Sequence, residues 1–321
     1  MIRLVRVELT RLRWRRAVLL LVLFCIAIPA LVVVGRAWAT RPVSEADVAA
    51  VIADNQGEVT ACVERPRQYA LPRTAGQEEC EQQVASWYLY RDELTLAEER
   101  AGSGLGVVAV LTALLLLAGT TFAGHDWASG SMSNQLLFDS RRGRVWTAKA
   151  LAVSLVALVT ATVVSTAYWL VLGGIMRWRD LPIADGGLTD SLLHGLRGAG
   201  FATAAALGGY ALTMLFRSTV ATVGVLFGVS VAGGIVIAVV GLGGQWQPQT
   251  NVAAIVQNGT TYYTDVPESC YSGGVYREPD PGSTCDPERE LSAWHGVGYY
   301  GVALLAVGGA SVASFRRRDV P

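Results

Sequence analysis

Charge is the scarcest property of this chain. Asp, Glu, Lys and Arg supply 16% of its 321 residues, against about 25% in a soluble domain. The deficit gathers into long uncharged runs, which points to a bilayer rather than to a large soluble core. Lysine occurs once, as Lys149, and Ala150 follows it. A P-loop needs Gly-x-x-x-x-Gly-Lys and then Ser or Thr, so that nucleotide-binding loop is missing. Histidine occurs at His125, His194 and His295 only, never inside an uncharged run, which leaves a Ser–His hydrolase at membrane depth without its base. His125 and Asp126 are adjacent, and adjacent residues on a helix face different ways, so they make no base–orienter pair. No Cys-x-x-Cys pair or histidine cluster offers a metal site. The runs also lack the buried ionisable groups that ion-coupled carriers use near mid-membrane.

What is present is apolar length. Hydrophobic residues make up 52% of the chain. Six runs free of Asp, Glu, Lys and Arg are long enough to span: 17–35, 104–124, 150–175, 198–216, 218–242 and 296–315. About 20 helical residues cross a hydrocarbon core of about 30 Å. With no water there, the backbone must satisfy itself, so each run is predicted helical. Leu111–Leu117 and Leu151–Val159 lack the alternation of a barrel strand. The first run, 19 residues long, exceeds the usual apolar core of a signal peptide, about 7–15 residues, and reads as an uncleaved span.

Basic residues fix the predicted orientation. With the N-terminus in the cytoplasm, segments 1–16, 125–149, Arg217 and 316–321 hold most of the basic clusters, against Glu8, Asp126, Asp139 and Asp319 alone. The opposite face holds the other carboxylates. Both termini are therefore predicted cytoplasmic, in a plasma (inner) membrane of bacterial type. Tryptophan agrees: Trp14, Trp38, Trp127, Trp146, Trp169, Trp178, Trp246 and Trp294 lie near proposed span ends, where indole rings favour the interface. Trp87 alone falls outside this pattern. Cysteine agrees too. Cys25 lies in the first span, Cys62 and Cys80 in the first outer segment, Cys270 and Cys285 in the last. Disulfides belong to oxidising compartments. Four cysteines allow three pairings, of which the local pairs Cys62–Cys80 and Cys270–Cys285 are preferred.

The segments between spans differ in character. Residues 1–16 read as an amphipathic basic helix, with Leu4, Val5, Leu9 and Leu12 toward lipid and the arginines snorkelling. Residues 36–103 form an outer segment, with Ser44 as a helix N-cap and a helical pattern returning at 83–100. An outer loop covers 176–197, and a loop-rich outer segment with repeated Pro and Gly covers 243–295. Small residues at Gly200, Ala204 and Gly208, and at Gly224 and Gly228, are spaced for close helix approach in lipid.

The most informative stretch is 119–152, between spans two and three on the predicted cytoplasmic side. Asp126, Gly130-Ser131, the Leu136-Leu137 pair, the cluster Arg141, Arg142 and Arg144, and Ala148-Lys149 follow one another in order. This pattern resembles the signature of ABC transporter permeases of the exporter-type ABC-2 superfamily. Asp126 stands where the family usually has Glu, and Ser140 where it often has Pro. Phe315-Arg316-Arg317-Arg318-Asp319 resembles the family's ending. The resemblance implies that 125–149 is a coupling segment docking on a separate ABC ATPase subunit. ATP and Mg would then be bound by that partner, with no cofactor on this chain. It also implies pairing with a second permease copy, identical or closely related. Without the resemblance, a short amphipathic helix near Met132–Phe138 still offers Leu136, Leu137 and Phe138 to a partner groove.

The expected fold is therefore all-α: six transmembrane helices, cytoplasmic termini and two disulfide-bearing outer loops. The expected function is that of a non-enzymatic permease subunit of an exporter for an apolar or amphiphilic substrate, with lipid and protein partners and no nucleic acid. The alternative is a non-transporting membrane sensor or scaffold whose outer loops bind a ligand.

Overall fold

A computed structural model describes residues 1–89, 91–272, 275–276 and 285–317. Helices α1 (Ile2–Arg13) and α2 (Arg16–Ala39) are followed by α3 (Glu45–Asp54), α4 (Gln56–Glu64) and α5 (Gln77–Tyr88). Helix α6 (Leu96–Glu99) passes through a π-helical turn at Arg100–Gly104 into α7 (Leu105–Ala128). Then come α8 (Ser131–Phe138), α9 (Arg142–Trp178), α10 (Gly187–Phe216), α11 (Thr219–Val240) and α12 (Pro248–Gln257). Short strands β1 (Thr260–Tyr263), β2 (Tyr271–Ser272), β3 (Val275–Tyr276) and β4 (Glu288–Leu291) precede α13 (Ala293–Arg317). β1 pairs with β4 and β2 with β3, both antiparallel. Among the described residues, six helices are long and apolar enough to cross a membrane: α2, α6 with α7, α9, α10, α11 and α13. The chain has the make-up of an all-α, multi-pass membrane protein.

The helices outrun the uncharged stretches that announce them. The run 150–175 sits inside a helix that begins at Arg142 and ends at Trp178. Much of 187–197, expected as loop, is the first part of α10. Helix ends reach past the hydrocarbon layer, where charge is tolerated, so a charge-free run marks less than the whole helix. In place of one helical pattern across 83–100, α5 stops at Tyr88 and helix resumes at Leu96. Arg318 and Asp319, with Gly273, Gly274, Pro279, Pro281 and Gly282, lie outside the described residues.

The chain forms two compact units, Val33–Thr95 and the remainder. In the smaller unit, Val59, Cys62, Cys80 and Val84 make a core ringed by Ile52, Tyr69 and Leu71. Cys62 and Cys80 are bonded across it, with Cα atoms 5.7 Å apart. Trp87 stacks on Tyr69 at 5.3 Å, which accounts for the one tryptophan that fits no membrane interface. Tyr69 Oη donates to Glu58 Oε2 at 2.7 Å, which holds its proton above the usual phenol range. Helix α3 starts on a capping box. The Asp47 amide donates to Ser44 Oγ at 3.2 Å, and the Ser44 amide donates to Asp47 Oδ2 at 3.0 Å. Arg41 and Arg91 add ion pairs to Asp47 at 3.0 and 3.3 Å.

In the larger unit α10 is the central helix, packed on α7, α9, α12 and α13. Its buried stripe is small: Gly195, Gly198, Ala202, Ala206, Gly209 and Thr213. Without a hydrophobic drive between helices in lipid, such residues let backbones approach closely. A Cβ on Gly209 would lie 2.6 Å from the Leu116 carbonyl oxygen, and one on Gly119 would collide with that of Ala206. Of the glycines expected to make close contacts, a Cβ on Gly200, Gly224 or Gly228 meets nothing of this chain within 4 Å, and one on Gly208 meets only Leu304, at 3.6 Å. Four-residue spacing runs down several faces of one helix, and the neighbours Val108 and Leu116 select the other face. Cys270 and Cys285 are bonded, with Cα atoms 5.5 Å apart.

Gly209→Ala and Gly119→Ala should each destabilise the protein by about 1–3 kcal/mol, as overpacked interiors do. Gly200→Ala should stay within about 0.5 kcal/mol. Thermal unfolding midpoints of the purified protein in detergent distinguish the two classes. The second prediction concerns Asp47, whose carboxyl is drawn down to about 2, first by the Ser44 hydrogen bonds and then by the two arginines. Its free value is about 3.9, so its stabilising contribution is intact above about pH 4 and is lost as pH falls toward about 2. The midpoint of Asp47→Asn should therefore fall less than that of the wild type across this acid window.

Candidate functional site

Four segments converge where α7 ends. Helix α1 lies against α9, and its inward face carries Leu12 and Glu8, both buried. The leucine stripe of 1–16 expected to face lipid is thus partly turned onto the protein. Asp126 occupies the last turn of α7, and Lys149 the third turn of α9. Glu8, Asp126 and Lys149 are each fully buried. The uncharged runs do lack acidic and basic residues, but two of the helices that contain them bury Asp126 and Lys149 at this end, and α1 adds Glu8.

These charges form one hydrogen-bonded network, in which Arg15 Nη1 is left buried without a partner. Lys149 Nζ donates to Glu8 Oε2 at 2.8 Å and also to Asp126 Oδ2. Arg11 Nη2 donates to Asp126 Oδ1 at 3.2 Å, and Arg11 Nη1 to Gln135 Oε1 at 3.1 Å. Arg15 donates to Asp126 Oδ1, Gln135 Nε2 to Glu8 Oε1, and Arg11 to Ser131 Oγ. All four carboxylate oxygens therefore accept at least one hydrogen bond. Three bases face two acids, and the Phe122 ring lies beneath two of the bases, 5.3 Å from Lys149 Nζ and 5.9 Å from the Arg15 guanidinium. Such a cluster contributes little net stability when complete, yet removing one member leaves an uncompensated buried charge, at a cost of about 3–5 kcal/mol. Its effect is to hold α1, α7, α8 and α9 in a single arrangement. Neither carboxylate is free to act as a base, and His125 points away, exposed.

Helix α8 hangs from this cluster. Gly130 turns the chain between α7 and α8 at φ +67°, a conformation that a side chain disfavours. Met132 is buried, Ser131 and Gln135 join the charge network, and Leu136 is half-buried. Leu137 and Phe138 are 82% and 93% exposed. Asp139 Oδ1 then accepts from the Arg141 amide at 3.1 Å, so an Asp side chain closes the turn into α9. Arg142 donates to the carbonyls of Phe315 and Arg316 at 3.5 Å, at the end of α13. Arg141, Arg142, Arg144 and Arg316 line an open cavity of about 660 Å³.

Of the residues singled out in the sequence, Asp126 and Lys149 meet directly. Gly130 makes the turn between them, Leu137 projects outward, and the three arginines gather around the basic cavity next door. Sequence reasoning missed Glu8, Arg11, Arg15 and Gln135. Two signals were present: Glu8 is the one acid of a basic helix, and Lys149 is the one lysine of the chain.

Lys149→Met should lower stability by about 3–5 kcal/mol. Adding Glu8→Gln should restore part of that loss, giving a coupling energy above about 1 kcal/mol in a double-mutant cycle on thermal midpoints. A Lys149→Met protein as stable as the wild type would contradict the assigned network. No protein-family model, curated protein or solved structure matches this chain.

Proposed function

We propose that this chain is the membrane-spanning permease subunit of an ABC exporter, with α8 as the element that docks on a separate ATPase subunit. The observation that carries the reading is the two-sidedness of α8. One side is fastened into the buried charge network, while Leu137 and Phe138 stand 82% and 93% exposed on the other. An exposed Leu-Phe pair beside a basic cavity suits an apolar groove with an acidic rim on a partner. A push on α8 would reach α7 through Ser131 and Asp126, and α9 through Glu8 and Lys149. A complete charge network is stable in one arrangement and costly in part-broken ones, which favours discrete states over continuous bending.

The positive-inside rule supports placing α1, α8 and the end of α13 in the cytoplasm. On that orientation the unit Val33–Thr95 and the Cys270–Cys285 pair face an oxidising compartment, as disulfides require. ATP and Mg belong to the partner in this reading, since the chain carries no P-loop. The buried charges are paired with one another at one end of the bundle, and the uncharged runs themselves carry none, which suits transport driven from outside the membrane and a substrate of apolar or amphiphilic character. A second permease copy is part of the same reading. Of α11 only Thr222 is buried, leaving apolar surface for lipid or a second copy.

The test uses Leu137→Asp combined with Phe138→Asp, both at exposed positions, in a tagged chain co-purified with candidate ATPases. The wild type should retain the ATPase and the variant should lose it while keeping its thermal midpoint. Full retention by the variant would remove the docking role of α8. Labelling of Leu137→Cys in intact cells by an impermeant maleimide would overturn the orientation; labelling only after permeabilisation supports it.

A further inference from the structure

At the opposite end of α7 the π-helical turn Arg100–Gly104, the start of α10 and the end of α12 enclose a second polar cavity, of about 470 Å³. Arg100, Asp190, His194, Arg197, Asn258 and Gly259 are among its lining residues. His194 is 1% exposed, and neither ring nitrogen makes a hydrogen bond, although the Gly104 carbonyl lies nearby. Its ring is fixed edge-on against Trp169, with centroids 5.5 Å apart. A buried polar group without a partner costs about 1–3 kcal/mol, and such groups in native proteins normally meet an unseen partner. Arg197 is half-buried and makes no ion pair or hydrogen bond among the described residues. Arg100 reaches the only carboxylate in the lining, Asp190, at a loose 3.8 Å, and that side chain is 63% exposed. The cavity therefore holds an excess positive charge, a planar guanidinium fork and an orphaned imidazole within one wall.

From this we infer that the cavity is a binding site for a phosphate-type oxyanion, presented either as a free anion or as the head group of a lipid. Arg197 supplies the paired N–H donors that match an oxyanion's geometry, and His194 supplies a further N–H. Arg100, partly neutralised by Asp190, adds attraction without a second full charge, which suits a singly charged phosphodiester or dihydrogen phosphate better than a dianion. The volume falls in the range of small-molecule pockets, about 300–1,000 Å³, leaving room for the atoms esterified to the phosphate. The site stands at the far end of α7 from α8, and its existence does not depend on the proposed transport function.

The experiment measures ligand-induced shifts in thermal midpoint, and titrated affinities, on the full chain. One arm adds inorganic phosphate to protein in a neutral detergent. The other compares nanodiscs of phosphatidylglycerol with nanodiscs of phosphatidylcholine. The wild type should be stabilised in at least one arm. Arg197→Gln and His194→Gln should each weaken binding about tenfold or more, the loss expected for one charge-assisted hydrogen bond. Arg177→Gln, at an exposed position outside the cavity, should bind as the wild type does. A shift with phosphate alone assigns a free anion, and a shift with phosphatidylglycerol only assigns a lipid head group. No shift in either arm, or equal shifts in the wild type and both cavity variants, would overturn the site. His194→Gln keeps the proposal testable should Arg197→Gln fail to fold.

Discussion

A charge buried in a helical bundle must find a partner of opposite sign, and in this protein that requirement fixes one whole end of the fold. Glu8, Asp126 and Lys149 are each cut off from water, and each is useful only while the others are in place. The network brings an N-terminal helix otherwise rich in arginine onto the bundle, where Arg11 and Arg15 meet Asp126 and Arg11 also meets Glu8. It also fastens α8 through Ser131 and Gln135, two uncharged residues that reach the charges from its inner side. Replacing such a cluster with apolar residues of equal volume often leaves stability unchanged or raises it. Its presence is therefore better explained by the single arrangement it enforces than by any stability it contributes.

A second constraint acts along the helices. Packing in lipid gains nothing from moving one apolar surface onto another, so close van der Waals fit must do that work. Helix α10 meets it with glycine and alanine along one face, and α7 answers with Gly119 and with the backbone at Leu116. Tyr210, on the same helix, donates its hydroxyl to the Trp146 carbonyl at 2.9 Å and thereby ties α10 to the first turns of α9. The charge network and the small-residue seam thus share α7 and α9. The first sets what meets at the end of these helices, and the second sets how closely they run.

The helices were readable from the sequence because lipid forbids charge, and a run such as 104–124 leaves no other reading. The helix start at Ser44 was readable because a cap is a local matter, settled by Ser44 and Asp47 alone. Asp126 and Lys149 were marked as parts of one pattern, and they are in contact. The inward turn of Glu8 was not readable. A stripe of Leu4, Val5, Leu9 and Leu12 looks the same whether lipid or protein covers it, and only the position of a remote lysine decides. The close-packing glycines were hidden for a related reason. Gly200 and Gly208 have the better spacing, but the most closely packed face of α10 is chosen by residues on α7, some ninety residues earlier in the chain. His194 fell within the expected outer loop 176–197; α10 in fact begins at Gly187 and buries it.

These features make α7 the common element of the two polar sites. It begins in the π-helical turn that borders the His194 cavity and ends at Asp126 within the charge network. Between them, Gly119 and Gly209 lock it to α10 at separations where any sliding would drive backbone into backbone. A helix held in this way cannot take up a displacement at one end by local bending in the middle, because the seam has no slack. A displacement of α8 that broke or reformed the bonds to Asp126 would have to move α7 and α10 together. Arg100, in the π-helical turn that leads into α7, and His194, on α10, would then shift as a pair relative to Trp169 on α9. The cavity between them is the place where such a movement would be felt.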